Sequence, residues 1–192
     1  MCIRDRYSVA DHPQVGVGGP PKIWRATSTD GIVWSNRQLS LPYVDATWEG
    51  AIYRPSVVKE DDGTYTMFYN AFYAYIKPDG NWYIDGHTGS IGIAKSSEGI
   101  TWTNRTQLLK ASDLGMNIDH LEDPYHFRDT DGKRYLYFTY YRKGVPSVGG
   151  IVVPVDKFGL LAPYIGFAST ILVATVATAT YVKRVKRRKE KQ

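Results

Sequence analysis

Two adjacent carboxylates, Glu122 and Asp123, stand before Pro124 in the segment LEDPYHF. Carboxyl groups can divide general acid and general base work between them, so the pair is the first candidate for chemistry in this 192-residue chain. Side chains alternate along a strand, so only one of the two is expected to face a given site. The structural alternative is that Asp123 caps a turn before the proline, a common role for an Asp-Pro pair.

Two histidines flank this pair of carboxylates. Together with Asp119, His120 and His126 would offer metal ligands, but their His-x5-His spacing fits no standard zinc pattern. The only cysteine is Cys2, which leaves no cysteine metal site and no disulfide framework. These residues therefore predict no metal site and no cofactor.

The elements that must position these residues form an internal repeat. The segment ATSTDGIVWSNR at 26–37 recurs as AKSSEGITWTNR at 94–105, an offset of 68 residues. The segment RPSVVKEDDGTYTMFY at 54–69 recurs in the same order as DPYHFRDTDGKRYLYFTY at 123–140, with an offset of 69 between their prolines. Aromatic and β-branched runs separated by DG and EG turns predict short antiparallel strands, four in each repeat.

Four antiparallel strands per repeat is the pattern of one blade of a β-propeller. The chain is therefore predicted to be all-β over 7–144, as a partial propeller of about two four-stranded blades. A closed propeller needs at least four blades, so further blades are expected upstream. A small sandwich built from the same strands is the alternative. The predicted parts are the outer half of one blade at 23–37, a complete blade at 48–105 and the inner half of another at 120–141.

The two ends of the chain are unlike its body. Residues 1–6 (MCIRDR) resemble the translation of a sequencing-library adapter and are expected to be an artefact of that kind. Residues 145–157 are expected to form a linker. Residues 158–182 carry no charge over 25 positions, which is long enough for one C-terminal transmembrane α-helix. The basic cluster at 183–192 then predicts a cytoplasmic C-terminus, with the β domain outside the cell membrane.

Charge separates the tail from the body. Residues 183–192 hold seven Lys or Arg and one Glu, so 24 − 7 = 17 basic and 19 − 1 = 18 acidic residues leave the body with a net charge of −1. A near-neutral body has no electrostatic footprint for nucleic acid, whereas the apolar stretch predicts a lipid bilayer as a partner. The stretch VGGIVVPVDKFGLLAPYIG also resembles the anchor tails of some archaeal surface proteins. A buried core helix with a solvated basic tail is the alternative.

The alternation of A-x-S-x-[DE]-G-I-x-W with [RD]-P-x-x-x…DG…Y-x-x-[FY] over 23–141 resembles the five-bladed β-propeller glycosidases. That superfamily includes glycoside hydrolase families 43, 32 and 62 and the mannoside phosphorylases of family 130. The resemblance implies an oligo- or polysaccharide substrate and inner-strand carboxylates that converge on a central funnel. It implies that Asp123 or Glu122 is catalytic, because E-D-P resembles the motif of family 130 and related glycosidases. A single structural Ca²⁺ or Na⁺ in the propeller channel is compatible with it.

The resemblance also implies substrate-binding side chains around the funnel. Arg54 stands where the next blade has Asp123, and it either clamps a substrate carboxylate or phosphate or pairs with a neighbouring acid. Aromatic faces stack on the apolar faces of sugars. Trp34 and Trp102 are expected instead to pack within the blades, because they fill the Trp position of the repeat. The predicted substrate-binding set is Arg54, Trp48, Glu49, Tyr125, His126 and Trp82.

The function that this resemblance implies is a membrane-anchored, extracytoplasmic glycoside hydrolase or phosphorylase. Because Arg54 replaces aspartate in one blade, the second catalytic carboxylate is not identified. The alternative is a non-catalytic carbohydrate-binding or structural cell-surface protein on the same scaffold. The first interpretation predicts glycan turnover, and the binding protein predicts glycan retention without cleavage.

Overall fold

The computed structural model describes residues 3–9, 19–114, 117–130 and 132–154. Strands dominate these residues, which confirms the all-β prediction. A single turn of 3-10 helix, Ala111–Leu114, follows the eighth strand. The strands are β1 (Ile3–Val9), β2 (Lys22–Ser28), β3 (Ser35–Leu41), β4 (Thr47–Lys59), β5 (Tyr65–Ile76), β6 (Trp82–Ile84), β7 (Ser90–Ser96), β8 (Thr103–Lys110), β9 (Ile118–Arg128), β10 (Arg134–Arg142) and β11 (Val145–Pro154).

The described strands form three sheets. The first sheet has the order β1-β2-β3, the central sheet β4-β5-β7-β8 with the short β6 beside β5, and the third sheet β11-β10-β9. The central sheet is antiparallel throughout and has the four-stranded order predicted for a complete blade. Strands β2 and β3 begin 68 residues before β7 and β8, and β5 begins 69 residues before β10. The sequence repeat is therefore also a repeat of strands.

The repeated S-x-[DE]-G segment is a hydrogen-bonded turn. Between β7 and β8, Ser96 Oγ accepts a hydrogen bond from the Gly99 N–H at 2.8 Å, and the Glu98 carboxylate accepts one from the Thr101 N–H at 2.6 Å. Residues 28–33, between β2 and β3, are bonded in the same way. The glycine of each turn has a positive φ, a conformation that glycine adopts at little cost. The recurring acid therefore stabilises the turn.

A bulge interrupts the first strand of each aromatic hairpin. Arg54 in β4 and Asp123 in β9 have φ values of 49° and 53°, directly before Pro55 and Pro124. The pairings of these strands with β5 and β10 shift register around the same positions. A left-handed backbone costs a non-glycine residue about 1–2 kcal/mol, so the surrounding sheet must hold each bulge in place. The simple alternation of side chains ends at these two positions.

The tryptophan of the repeat ties two sheets together. Trp102 is 7% exposed, and its indole N–H donates a hydrogen bond to Ser40 Oγ in β3 at 3.1 Å. This contact confirms the predicted packing role of Trp102. Its counterpart Trp34 is 40% exposed among the described residues, so the predicted packing role of Trp34 is wrong.

A glycine inside the central sheet makes room for a buried aromatic ring. A Cβ atom added at Gly92 would lie 2.4 Å from the Tyr69 ring.

The end of the described chain differs from the prediction. Residues 145–154, expected to belong to a linker, form β11 and pair with β10. Valine and isoleucine favour the extended backbone of this segment. Gly149 and Gly150 allow close approach of two rings, because added Cβ atoms would lie 2.2 Å from Tyr140 and 2.4 Å from Tyr137. The third sheet therefore extends beyond residue 144, the predicted end of the β domain.

The predicted membrane segment and basic tail, residues 158–182 and 183–192, lie outside the described residues. Among the residues that the structure describes, no helix has the length and apolar character needed to cross a membrane. The anchor therefore stays a prediction, as does the origin of residues 1–6.

Candidate functional site

The two bulges bring Arg54 against both candidate carboxylates. Arg54 Nη1 lies 2.5 Å from a Glu122 oxygen and also contacts Asp123. Asp123 accepts a further hydrogen bond from the Thr139 hydroxyl at 3.0 Å. The prediction that the carboxylates point to opposite faces is wrong, because the bulge at Asp123 breaks the alternation. Arg54 pairs with neighbouring acids, which is one of the two roles predicted for it.

A row of histidine and carboxylate side chains continues from this ion pair. His120 Nε2 lies 3.3 Å from a Glu122 oxygen, and His120 Nδ1 lies 3.0 Å from an Asp119 oxygen. His87, from the loop before β7, places its Nδ1 2.8 Å from the same Asp119 oxygen. These five residues, His87, Asp119, His120, Glu122 and Arg54, are called the polar row below. The polar row links an exposed histidine to the half-buried Glu122.

The charges within the polar row set its protonation. Burial alone raises the pKa of Glu122, but the hydrogen bond from His120 and the charge of Arg54 outweigh burial and lower it. Burial alone lowers the pKa of His120, and its interactions with Glu122 and Asp119 reverse that effect and raise it. The pKa of Asp119 is lowered, because the two histidines outweigh its burial. The row therefore holds an ionised Glu122 beside a histidine that keeps its proton to a higher pH than usual.

The raised pKa of His120 predicts a pH-dependent contribution to stability. The contribution of such a histidine to the free energy of unfolding is complete at a pH below its unfolded pKa of 6.5. This contribution disappears as the pH rises through the pKa of the folded state. We expect His120→Gln to lower the free energy of unfolding more at about pH 5.5 than at about pH 9, as measured by urea denaturation. The lowered pKa values of Glu122 and Asp119 keep both carboxylates ionised at the lower of these pH values. A loss of equal size at both would contradict the interaction.

A pocket of about 320 Å³ opens beside the polar row and is called the row pocket. Burial, and then the nearby charge of Glu122, raises the pKa of Tyr53 to about 12. The Tyr53 hydroxyl therefore stays protonated near neutral pH and can donate a hydrogen bond. The pocket combines charged, amide and aromatic surfaces, as sites for polar ligands do. Its lining residues are Tyr53, Arg54, Asn70, Phe72, Ile84, Gly86, His120 and Glu122.

A second, more open depression of about 490 Å³, the bulge cleft, is lined by residues 54–57 and 123–126. Tyr125 is 63% exposed there. The His126 ring stacks on Phe68 with centroids 6.2 Å apart, and its backbone N–H donates to Ser56 Oγ at 2.9 Å. The structure thus brings Arg54, Asp123, Tyr125 and His126 together, four of the residues that the sequence singled out.

Two of the predicted substrate-binding residues are buried away from these openings. Glu49 is 6% exposed, lies 3.0 Å from Arg105 Nε and accepts a hydrogen bond from the Tyr69 hydroxyl. Trp82 is 3% exposed and packs with Ala51 and Ala74. Neither residue lines the row pocket or the bulge cleft.

Trp48 has a different position from the other predicted aromatics. It packs on Tyr69 with ring centroids 6.3 Å apart, and it lines a third pocket, next to His87 and Asp119. It therefore shares a pocket with two residues of the polar row but does not line the row pocket.

Sequence reasoning missed most of the polar row. The sequence offers Asp119 and His120 only as metal ligands, although their closeness to Glu122 in the chain is a usable signal. His87 lies 32 residues from its partner Asp119, and nothing in the sequence pattern joins them. In the described part of the chain, no three His, Cys, Asp or Glu side chains are grouped as a metal ion would require.

The chemistry available at the row pocket is that of a held anion beside hydrogen-bond donors. One guanidinium positions Glu122, which lines the row pocket, and Asp123, which lines the bulge cleft. Carboxylates held in this way can act as bases or nucleophiles. Tyr53 adds a protonated hydroxyl, and the His120 imidazole bridges Asp119 and Glu122. Such a mixture suits a ligand with many hydroxyl groups and an adjacent apolar face.

Comparison with solved structures shows which class of proteins shares this fold. The chain superposes on the sucrose-6-phosphate hydrolase of Lactobacillus gasseri with a TM-score of 0.60 and 16% sequence identity, over 81% of this chain and 30% of that one. It superposes on a glycoside hydrolase with a TM-score of 0.52 and 18% identity, over 80% of this chain and 40% of that one. The fold is thus one found in glycoside hydrolases, and the chain spans less than half the length of either protein.

No family model matches the chain, and no curated protein matches it.

Proposed function

We propose that this chain is part of a glycan-processing protein, a glycoside hydrolase or phosphorylase, with Glu122 and Asp123 among its catalytic groups. The observation that carries the proposal is the contact of Arg54 with both carboxylates at the edge of the row pocket. The fold shared with glycoside hydrolases supports the same class of substrate.

Cleavage of a glycosidic bond requires two kinds of catalytic group. One group must protonate the leaving oxygen, and a carboxylate must assist as base or nucleophile from the other side of the sugar ring. The lowered pKa of Glu122 suits the second task, because this carboxylate is ionised near neutral pH. The Tyr53 hydroxyl can donate a hydrogen bond to a sugar hydroxyl in the row pocket, while His120 holds Glu122 in place. Water accepts the sugar in hydrolysis, and inorganic phosphate accepts it in phosphorolysis.

The second candidate is a carbohydrate-binding protein without catalysis. The pKa of Glu122 favours it, because a carboxyl group that acts as general acid needs a raised pKa and this one is lowered. A pocket with fixed charges and hydrogen-bond donors, but without a carboxylic acid that holds its proton, would retain a glycan and not cleave it.

Product analysis on a panel of polysaccharides tests both candidates. The full chain is incubated with insoluble xylan, arabinan, mannan and galactan and with immobilised polygalacturonic acid, with and without inorganic phosphate. Release of reducing sugar supports a hydrolase, and phosphate-dependent release of a sugar 1-phosphate supports a phosphorylase. Retention of the protein on a glycan without any product supports the binding protein. Neither product nor retention on any member of the panel would contradict both.

We also propose that residues 158–182 anchor the protein in the cell membrane, with the β domain outside and residues 183–192 in the cytoplasm. The uncharged length of the first segment and the basic residues of the second support this orientation. The full chain is expected to float with lipid vesicles in a density gradient, and a chain that ends at residue 157 is expected to remain at the bottom. Equal flotation of the two would contradict the anchor.

A further inference from the structure

A third pocket, of about 530 Å³, lies at the His87 end of the polar row. The polar row contributes His87 and Asp119 to its wall, and the strand end and turn on either side contribute Lys110 and Lys143. We call it the lysine pocket. It is larger than the row pocket and no part of the function proposed above uses it.

The lysine pocket has an excess of positive charge, whereas the charges of the row pocket are matched. The one carboxylate in its lining, Asp119, is already bonded to two histidines, His87 and His120. No ion pair joins the ammonium group of Lys110 or Lys143 to a carboxylate of the described residues. Asp113 accepts the backbone N–H of Lys110 at 3.0 Å but does not line the pocket. In the row pocket, by contrast, the charge of Arg54 is matched by Glu122 in the same lining and by Asp123, which lines the bulge cleft.

The lysine pocket also has aromatic surface. Trp48 lines it and packs from behind on Tyr69 at 6.3 Å. Tyr73, 38% exposed, lines it as well. Aromatic faces beside positive charges fit a ring that has apolar C–H faces and an anionic substituent. An acidic sugar, with a carboxylate or a sulfate ester, has both features.

The lysine pocket and the row pocket meet along one strand. Asp119 lines the first and its neighbour His120 lines the second, and their side chains are 3.0 Å apart. Adjacent residues of β9 thus line the two pockets.

We propose that the lysine pocket binds an anionic sugar unit of the glycan, held by Lys110 and Lys143 and stacked on Trp48 or Tyr73. The inference rests on the proposed function for the presence of a glycan, but it does not depend on catalysis. It names the substrate class as acidic polysaccharides. A carboxylate and a sulfate ester share the required chemistry, and the test below compares them.

The test is the binding of defined trisaccharides to the full chain in detergent micelles, measured by isothermal titration. The probes are trigalacturonic acid, a sulfated galactotriose and neutral galactotriose. Both acidic probes, or one of them, are expected to bind at least about fivefold more tightly than the neutral probe in low salt. That preference is expected to shrink at about 0.5 M salt, because the lysines are exposed and their charges are screened. The stronger of the two acidic probes identifies the anion.

A double variant tests whether Lys110 and Lys143, and not the rest of the surface, cause the preference for acidic probes. Lys110→Gln with Lys143→Gln is expected to weaken binding of the acidic probe by about fivefold and to leave the neutral probe unchanged. Lys77→Gln, in the loop after β5, is the control and is expected to change neither. Equal affinity of the wild type for acidic and neutral probes, or equal losses for both in the double variant, would overturn the proposal.

Binding of the trisaccharides and turnover of the polysaccharides, both measured on the full chain, distinguish the lysine pocket from the proposed enzyme activity. Selective binding of acidic probes without turnover of any glycan would support the lysine pocket and contradict the enzyme. Turnover of neutral glycans without any preference for acidic probes would support the enzyme and overturn the lysine pocket.

Discussion

Glu122→Gln and Asp123→Asn are each expected to lower kcat/KM on the protein's glycan substrate by about a thousandfold, the usual scale for loss of a catalytic base or nucleophile. Each amide keeps the shape of the carboxylate but loses its charge and its basicity. The contact with Arg54 would be weakened, because a neutral amide oxygen is a poorer partner for a guanidinium. Initial rates of product release from the substrate found in the polysaccharide panel would measure the effect.

The control for this pair is Asp61→Asn. Asp61 is 87% exposed in the turn after β4, where it pairs with Arg128 at 3.3 Å. Exposed ion pairs contribute little, so this variant is expected to keep full activity and stability. If Glu122→Gln and Asp123→Asn were both as active as the control, the two carboxylates would not be catalytic. If only one lost activity, that residue would be the catalytic carboxylate and the other would serve to hold Arg54.

Arg105→Met is expected to lower the free energy of unfolding by about 3 kcal/mol, because it leaves a carboxylate without its partner inside the protein. Glu49 is 7% exposed in its side chain and lies 3.0 Å from Arg105 Nε. Arg105 also donates a hydrogen bond to the Pro42 carbonyl oxygen at 2.7 Å, and the substitution removes that bond as well. The hydrogen bond of Tyr69 to Glu49 raises the pKa of that tyrosine further, after burial, and the tyrosine cannot replace the lost positive charge. Urea denaturation measures the change.

The repeat supplies a matched control for this variant. Arg37 is the counterpart of Arg105 in the first sheet, but it is exposed and lies over the Trp24 ring at 4.5 Å. Arg37→Met is expected to cost less than about 1 kcal/mol. Removing both partners, as Glu49→Gln with Arg105→Met, is expected to recover part of the loss, since no uncompensated charge remains. Equal losses for Arg37→Met and Arg105→Met would contradict the buried ion pair.

Residues that are distant in the sequence bury Glu49. The position of Glu49 next to Trp48 in the sequence does not distinguish a buried glutamate from an exposed one. Burial depends on Tyr69 and Arg105, which are 20 and 56 residues away along the chain. The same holds for Trp82, whose short strand β6 folds back on β5 and buries the indole.

What the sequence determined by itself was the order of strands and turns. Hairpins and turns are local, so the glycines at positive φ and the Ser and acid pairs that bond to nearby N–H groups encode them within a few residues. Repetition of those local signals about 68 residues apart was enough to predict the blade pattern that the central sheet shows.

What only the tertiary structure decided was the composition of the site. Arg54 and Asp123 adopt a positive φ because their partner strands hold the bulges, and their residue types alone would not predict it. That geometry turns Glu122 and Asp123 toward one arginine. The contact of His87 with Asp119 and the pairing of β11 with β10 also join residues through the fold. Local turns are fixed by short-range hydrogen bonds, whereas a charge cluster depends on which strands the packed sheets place side by side.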